Sequence, residues 1–306
     1  MAAIVLVHGI GQEQLSADTL EKHWVPDLVG GIRKTHPELA DRIGPAGDVG
    51  VRMAFYGDRF LRQGAQGVRD STGLSDAELE LMEHLAEAWL HTAAEHAPDP
   101  RDRREAVNEL HRLGRGEAGA QGPKAVLRPA MNGLARIRWL APVGVGVAGR
   151  FVWRALTQVS RYLADDTIRS FAQQQVLDAI CPDTRIVIGH SLGSVVAYEA
   201  LHHTTQPTAL LTLGSPLGLR TVIYDKLQPR PPHVPALVTR WDNLVDTDDL
   251  IAAHLDLAPY FPPAPGATVI PRTNSTLDNG AQPHNATHYL TKRATGLIVS
   301  DALRGR

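Results

Sequence analysis

Five short runs in this chain are rich in aliphatic or β-branched residues and bounded by turn-formers, several of them almost continuously apolar: AIVLVHG (3–9), VGVRMAFYG (49–57), TRIVIGH (184–190), TALLTLGSP (208–216) and PALVTRW (235–241). A strand with one wet face alternates apolar and polar residues, whereas a strand that is apolar throughout must be covered on both faces. Helices packed on either side of a parallel sheet meet that requirement. Helical patterns do lie between the runs, as in LSADTLEKHWVPDLVGGIRKT, SVVAYEALHH and the closing THYLTKRATGLIVSDAL. ATVIP (267–271) offers a weaker sixth strand. The alternation predicts an α/β fold with a mostly parallel central sheet and helices on both faces.

One region interrupts the alternation. Residues 58–165 contain no convincing strand pattern, only helical or loop-like sequence. SDAELELMEHLAEAWLHTAAEHA (75–97) has apolar residues at helical spacing, with Ser75 placed to cap it. The expected organisation is therefore a core of residues 1–57 and 166–306, with 58–165 inserted as a helical cap or lid over one end of the sheet. The stretch 135–163 allows two readings. It is a pair of helices closing the insertion against the core, or a surface for peripheral membrane contact. The second reading rests on Trp139, Phe151 and Trp153 interleaved with Arg136, Arg138, Arg150, Arg154 and Arg161.

Composition narrows the function classes. A formal charge of −2 over 306 residues lacks the basic excess that phosphate backbones demand, so no nucleic-acid partner is expected. The single cysteine, Cys181, excludes an intramolecular disulfide and a zinc site built on several thiolates, and reads as a packing residue. MAAIVLVHG has no basic segment ahead of its apolar run, and WLAPVGVGVAG (139–149) is too short to cross a bilayer. We expect a soluble, cytoplasmic protein.

The chemistry centres on IVIGHSLGSVVAYEA (186–200), where a serine stands between two glycines, after an apolar run and before a helical one. Gly189-His190-Ser191-Leu192-Gly193 is G-x-S-x-G in strand-to-helix context, the setting of a nucleophile elbow. So tight a turn strains the serine backbone and leaves no room for side chains two residues to either side. Ser191 is then the candidate nucleophile, at a helix N-terminus that favours a developing anion. The bland alternative is a serine that merely caps the helix.

An acyl-transfer intermediate needs N–H donors aimed at its oxygen. Leu192 supplies one candidate. VHGIG (7–11) supplies the other at Ile10, with His8, Gly9 and His190 bordering the site. Gln14 stands where a dinucleotide fingerprint starting at Gly9 would place its third glycine, so that reading fails. A carboxylate and an imidazole should follow the serine, in that order, on loops after late strands. WDNLVDTDDLIA (241–252) offers Asp249, favoured for the aliphatic Leu250-Ile251 that would anchor it, with Asp246 as the alternate acid. QPHNATHYLT (282–291) offers His288, favoured at the head of the final helix, and His284 as the second choice. Asn285 occupies the place of the glutamate in a zinc-binding H-E-x-x-H pattern, and the acidic loop lacks the glycine and distal glutamate of a calcium loop. No metal or cofactor is expected.

Taken together, VHGIG, GHSLGS, GSPLG, WDNLVDTDDL and NATHYL resemble the α/β-hydrolase superfamily. They are most similar to its lipase-like branch, which includes the GPI inositol-deacylase-type proteins and their bacterial relatives. The resemblance covers residues 1–57 and 166 onward, and leaves the insertion unplaced. It implies an oxyanion loop at His8-Gly9-Ile10, an elbow at Gly189–Gly193, a G-S-P at Gly214-Ser215-Pro216, and an acid-bearing loop containing Trp241, Asn243, Asp246 and Asp249. The expectation is an esterase or lipase-like serine hydrolase acting on a small-molecule or lipid ester. Its rivals are a thioesterase, an amidase or peptidase, an acyltransferase with the same triad, and a binding module that keeps the fold without turnover.

Overall fold

The computed structural model describes residues 2–44, 47–61, 74–114, 123–137, 145–252 and 256–305. The chain forms two compact units, one of Met1–Asp58 with Arg169–Arg306 and one of Arg59–Ile168.

The first unit is built on β1 (Ala2–Val7), β2 (Gly50–Ala54), β3 (Ile186–His190), β4 (Thr208–Leu213), β5 (Val238–Asp246) and β6 (Pro271–Leu277). They form one sheet in the order β2-β1-β3-β4-β5-β6, and every neighbouring pair is parallel. Among the described residues the α-helices are α1 (Ala17–Arg33), α2 (Pro37–Ala40), α3 (Asp76–His96), α4 (Pro100–Gly114), α5 (Pro123–Arg136), α6 (Val145–Ala164), α7 (Asp166–Ala179), α8 (Leu192–Leu201), α9 (Ala286–Leu290) and α10 (Arg293–Arg304).

Both faces of the sheet are covered, as continuously apolar strands require. Ile4, Leu6, Ile186, Ile188, Leu211 and Leu213 join one core with Trp24, Leu28 and Ile32 of α1 and Ile298 and Val299 of α10. The residues between them, Val5, Val7, Val187 and Leu210, are buried as well. By the two-residue period of a strand they face the other side, where α8 packs on β1, β3 and β4. Helix α1 follows β1 and helix α8 follows β3, so the two helices leave adjacent strands toward opposite faces. That arrangement opens a crevice at the carboxyl ends of β1 and β3, where the strand order reverses.

The strands differ from the sequence expectation at two places. β5 runs on past Trp241 to Asp246, so half of the segment expected as an acidic loop is strand. Its charges are matched: Asp242 pairs with Arg240 at 2.5 Å and with Arg272 at 3.1 Å. Asn243 Oδ1 accepts the Thr212 hydroxyl at 2.8 Å. β6 begins where ATVIP ends and reads PRTNSTL. It is an edge strand paired only to β5, so its polar side chains stay partly exposed and give no apolar run.

The second unit contains α3 to α6, packed on one another. Ser75 caps α3 with a reciprocal capping box: its hydroxyl accepts the Glu78 N–H at 3.2 Å, and Glu78 accepts the Ser75 N–H at 2.6 Å. Buried Glu109 draws Arg112 and Arg136 to it at 2.6 and 2.7 Å. Of the basic-aromatic stretch, Arg138 and Trp139 lie outside the described residues, Arg150, Phe151 and Arg154 are exposed, and Trp153 is half-buried. Among the described residues no helix is long and apolar enough to cross a membrane.

In the first unit, α1 and α10 approach closely because both carry glycine at the contact. A methyl group on Gly296 would strike the carbonyl oxygen of Gly31. Backbone cannot yield as a flexible side chain does, so Gly296→Ala should cost about 1–3 kcal/mol. Urea unfolding of the variant should show a lower midpoint with an unchanged slope; an unchanged midpoint would mean the helices are not held at this separation.

Candidate active site

β3 is wholly buried and ends directly at Ser191. Ser191 adopts φ +54° and ψ −129°, and it is the one non-glycine residue among those described with positive φ. Its N–H still donates to the Leu213 carbonyl at 3.0 Å, so the β3–β4 pairing holds up to the residue where the chain turns. The flanking glycines permit the turn. A Cβ on Gly189 would lie 2.6 Å from the Gly193 carbonyl oxygen, and one on Gly193 would strike the carbonyls of Val7 and His8. Ser194 donates its hydroxyl to the Ser191 carbonyl at 2.5 Å and stands 2.7 Å from the Ser215 hydroxyl, fixing the elbow from behind.

Ser191 Oγ stands 2.9 Å from His284 Nε2. His284 Nδ1 stands 2.9 Å from both carboxylate oxygens of Asp249. Asp249 is only 2% exposed and receives two more donors, the Ile251 N–H at 3.1 Å and the Tyr289 hydroxyl at 2.8 Å. Burial would raise this carboxyl, but the adjacent His284 charge and the hydrogen bonds from His284 and Tyr289 outweigh it and hold Asp249 below its usual range. An ionised Asp249 only accepts, so Nδ1 of His284 carries the proton and Nε2 is left to accept from the serine. Burial, reinforced by Asp249, holds the Tyr289 phenol protonated far above its ordinary range, so it remains a donor.

The imidazole that meets Ser191 is therefore His284, not the His288 favoured from the sequence. His288 lies inside α9 and donates from Nδ1 to the Asn279 carbonyl at 2.8 Å. Asn285 caps that helix, its side chain accepting the Thr287 N–H at 3.0 Å. The residue before the cap is on the loop and reaches the serine. An asparagine two residues before a threonine is a readable cap, and it was the local signal separating the two histidines. Of the two acids, Asp249 meets the imidazole. Asp246 Oδ1 accepts the Asp248 N–H at 2.8 Å, and Oδ2 accepts the Asn279 N–H.

The remaining residues expected at the site fall around it. Gly9 lies against Ser191: a Cβ there would come within 2.8 Å of the Ser191 Cβ. Ile10 follows on the same loop, and Leu192 opens α8. His8 donates from Nδ1 to the Gly9 carbonyl at 2.8 Å, and its Nε2 accepts the Tyr56 N–H at 3.2 Å. In a planar trans peptide the C=O and the following N–H point in opposite directions, so fixing the Gly9 carbonyl also fixes the Ile10 N–H. His190 donates from Nε2 to the His284 carbonyl at 2.9 Å, and its ring lies 4.7 Å from that of His284. Two further residues touch Asp249, a contact that no local sequence pattern predicts. Tyr289 reaches Asp249 from α9, with its hydroxyl 2.8 Å from the carboxylate. Gly214 adopts φ +52°, and a Cβ there would lie 2.5 Å from Asp249 Oδ2 and 3.2 Å from His284 Nδ1. Among the described residues no group of three His, Cys, Asp or Glu side chains is arranged to hold a metal ion.

Comparison of the chain with protein-family models, with curated proteins and with solved structures finds no match. Among the described residues the chain is an α/β protein with one all-parallel six-stranded sheet, covered by helices on both faces.

Burial drives His8 down from 6.5 to about 4, and burial with the neighbouring His284 charge drives His190 down to about 3. Both bind protons less readily folded than unfolded, so unfolding takes up protons below pH 6.5. Their stabilising contribution is complete above that value and is lost as pH falls toward 4 for His8 and 3 for His190. Urea unfolding at pH 7, 6 and 5 should show stability falling by on the order of 2–4 kcal/mol in all. A flat profile across that range would contradict the neutral, buried state of both rings.

Proposed function

We propose that this chain is a serine hydrolase of α/β-hydrolase type that cleaves carboxylic esters. The observation that carries the reading is the continuous contact from Ser191 Oγ through His284 to buried Asp249, with the serine on a strained strand-to-helix turn. A serine that merely capped α8 would need neither the positive φ nor an imidazole paired to a carboxylate, and its side chain makes no capping bond.

In this mechanism Ser191 Oγ attacks the acyl carbonyl carbon while His284 Nε2 takes the hydroxyl proton. Asp249 stabilises the imidazolium and keeps its orientation. The oxyanion lies between the N–H groups of Leu192 and Ile10, each worth about 10²–10³ in rate at such a site. His284 then gives its proton to the leaving alkoxide, and the acyl group remains on Ser191. Water, deprotonated by His284, attacks the acyl carbon and releases the acid, and the serine recovers its proton. No metal or cofactor takes part. The aromatic and basic residues Arg150, Phe151 and Arg154, exposed on α6, favour a lipid or acylated substrate over a small soluble ester. The cytoplasmic setting expected from the sequence belongs to this proposal.

Labelling by a fluorophosphonate, which reacts with an activated serine hydroxyl, tests the reading. Wild-type protein should label, Ser191→Ala should not, and His284→Ala should label at least about 10³-fold more slowly. Hydrolysis of p-nitrophenyl esters should be lost in parallel and should rise with acyl length. Absence of labelling and of ester turnover in the folded wild type would leave a binding module with the triad geometry, and the hydrolase reading would be withdrawn.

A further inference from the structure

The loop that carries His284 is fastened by side chains outside the triad. At its start, Asn279 is 4% exposed and bonded through three groups. Its N–H donates to Asp246 Oδ2, its carbonyl accepts His288 Nδ1 at 2.8 Å, and its Nδ2 donates to the Pro283 carbonyl at 2.8 Å. At its end, the His284 carbonyl accepts from His190 at 2.9 Å. The segment from Asn279 to His284 is thus held at its first, fifth and last residues, with Asp246 at the end of β5 and His288 in α9 as the outer anchors. Asp246 is joined to the triad by a second route, since its N–H donates to the Tyr289 hydroxyl that in turn donates to Asp249.

We propose that Asp246, Asn279 and His288 form a clamp that sets the reach of His284 to Ser191, so that these three are positioning residues of the hydrolase. The inference rests on the proposed serine-hydrolase reading. It gives a distinct role to Asp246 and His288, which have the chemistry of an acid and a base but touch neither Ser191 nor each other's expected partners. Three features favour a positioning role over a purely structural one. The clamped segment, Asn279 to His284, is only six residues of chain. The clamp reaches the Pro283 carbonyl, on the residue directly before the catalytic imidazole. It satisfies the backbone N–H and C=O of the same residue, which fixes the orientation of both peptide planes where the loop begins. A catalytic group displaced by about 1 Å loses on the order of 10²-fold in rate while substrate binding is spared.

The test uses full-length protein and p-nitrophenyl butyrate, with rates taken well below each variant's unfolding midpoint. His288→Ala removes the donor to Asn279, whereas His288→Asn keeps an N–H near the position of Nδ1. His288→Ala should lower kcat by about 10–100-fold with KM within about twofold of wild type, and His288→Asn should recover most of that loss. Asp246→Asn, which sets an amide group against one of two backbone N–H donors, should produce the same split and stands in if His288→Ala does not fold. A kcat for His288→Ala and Asp246→Asn within twofold of wild type would overturn the clamp, as would equal loss in His288→Ala and His288→Asn. His284→Ala separates this failure from failure of the hydrolase reading. If His284→Ala is inactive while His288→Ala is normal, the clamp alone fails; if His284→Ala turns over like wild type, the hydrolase reading fails with it.

Discussion

A serine held at φ +54° is the constraint around which the first unit is arranged. A non-glycine residue in that region costs of order 1–3 kcal/mol and persists only where its surroundings over-determine it. Here they do. The Ser191 N–H is tied to β4 and its carbonyl to Ser194, while three glycines let the backbones of the elbow, of β1's terminal loop and of α8 cross within van der Waals distance. The same crossing brings the loop after β1 against Ser191. Strain and close approach therefore have one origin, the switch in strand order between β1 and β3.

The second requirement is electrostatic. A carboxylate as buried as Asp249 is costly unless it is paired and hydrogen-bonded. His284, Tyr289 and the Ile251 N–H meet that need, and in doing so they assign every proton in the chain of contacts. The flanking histidines take the opposite role. His8 and His190 are buried without a hydrogen-bonded carboxylate, so they stay neutral and act as oriented donors to backbone carbonyls, one at Gly9 and one at His284. The ionised Asp249 is paired with one imidazole, that of His284, which the proposed chemistry uses.

How much of this was legible in the sequence follows from how each residue is used. β1, β3 and β4 could be read because burial on both faces forces a continuous apolar run. β6 could not, because an edge strand carries polar side chains, and the second half of β5 hid its strand character behind an ion pair and an Asn–Thr hydrogen bond. Ser191 was legible because its turn requires glycines at fixed offsets. His284 and His288 were hard to separate because both sit within a few residues of the same helix start, and only the Asn285 cap divides loop from helix. Tyr289 and Gly214 act through contact with Asp249, which lies 40 residues from Tyr289 in the chain, and no local pattern encodes such a contact.

The central claim is geometric: one serine, one loop-borne imidazole and two backbone N–H groups converge on a single reacting carbon. A crystal structure of the protein inactivated by an alkyl phosphonate tests it most directly, because the phosphonyl group mimics the tetrahedral intermediate. The account predicts phosphorus bonded to Ser191 Oγ, its anionic oxygen within hydrogen-bond distance of the Ile10 and Leu192 N–H groups, and His284 Nε2 beside the ester oxygen. An adduct on another residue, an anionic oxygen turned away from both N–H groups, or His288 in place of His284 at the phosphorus would contradict it.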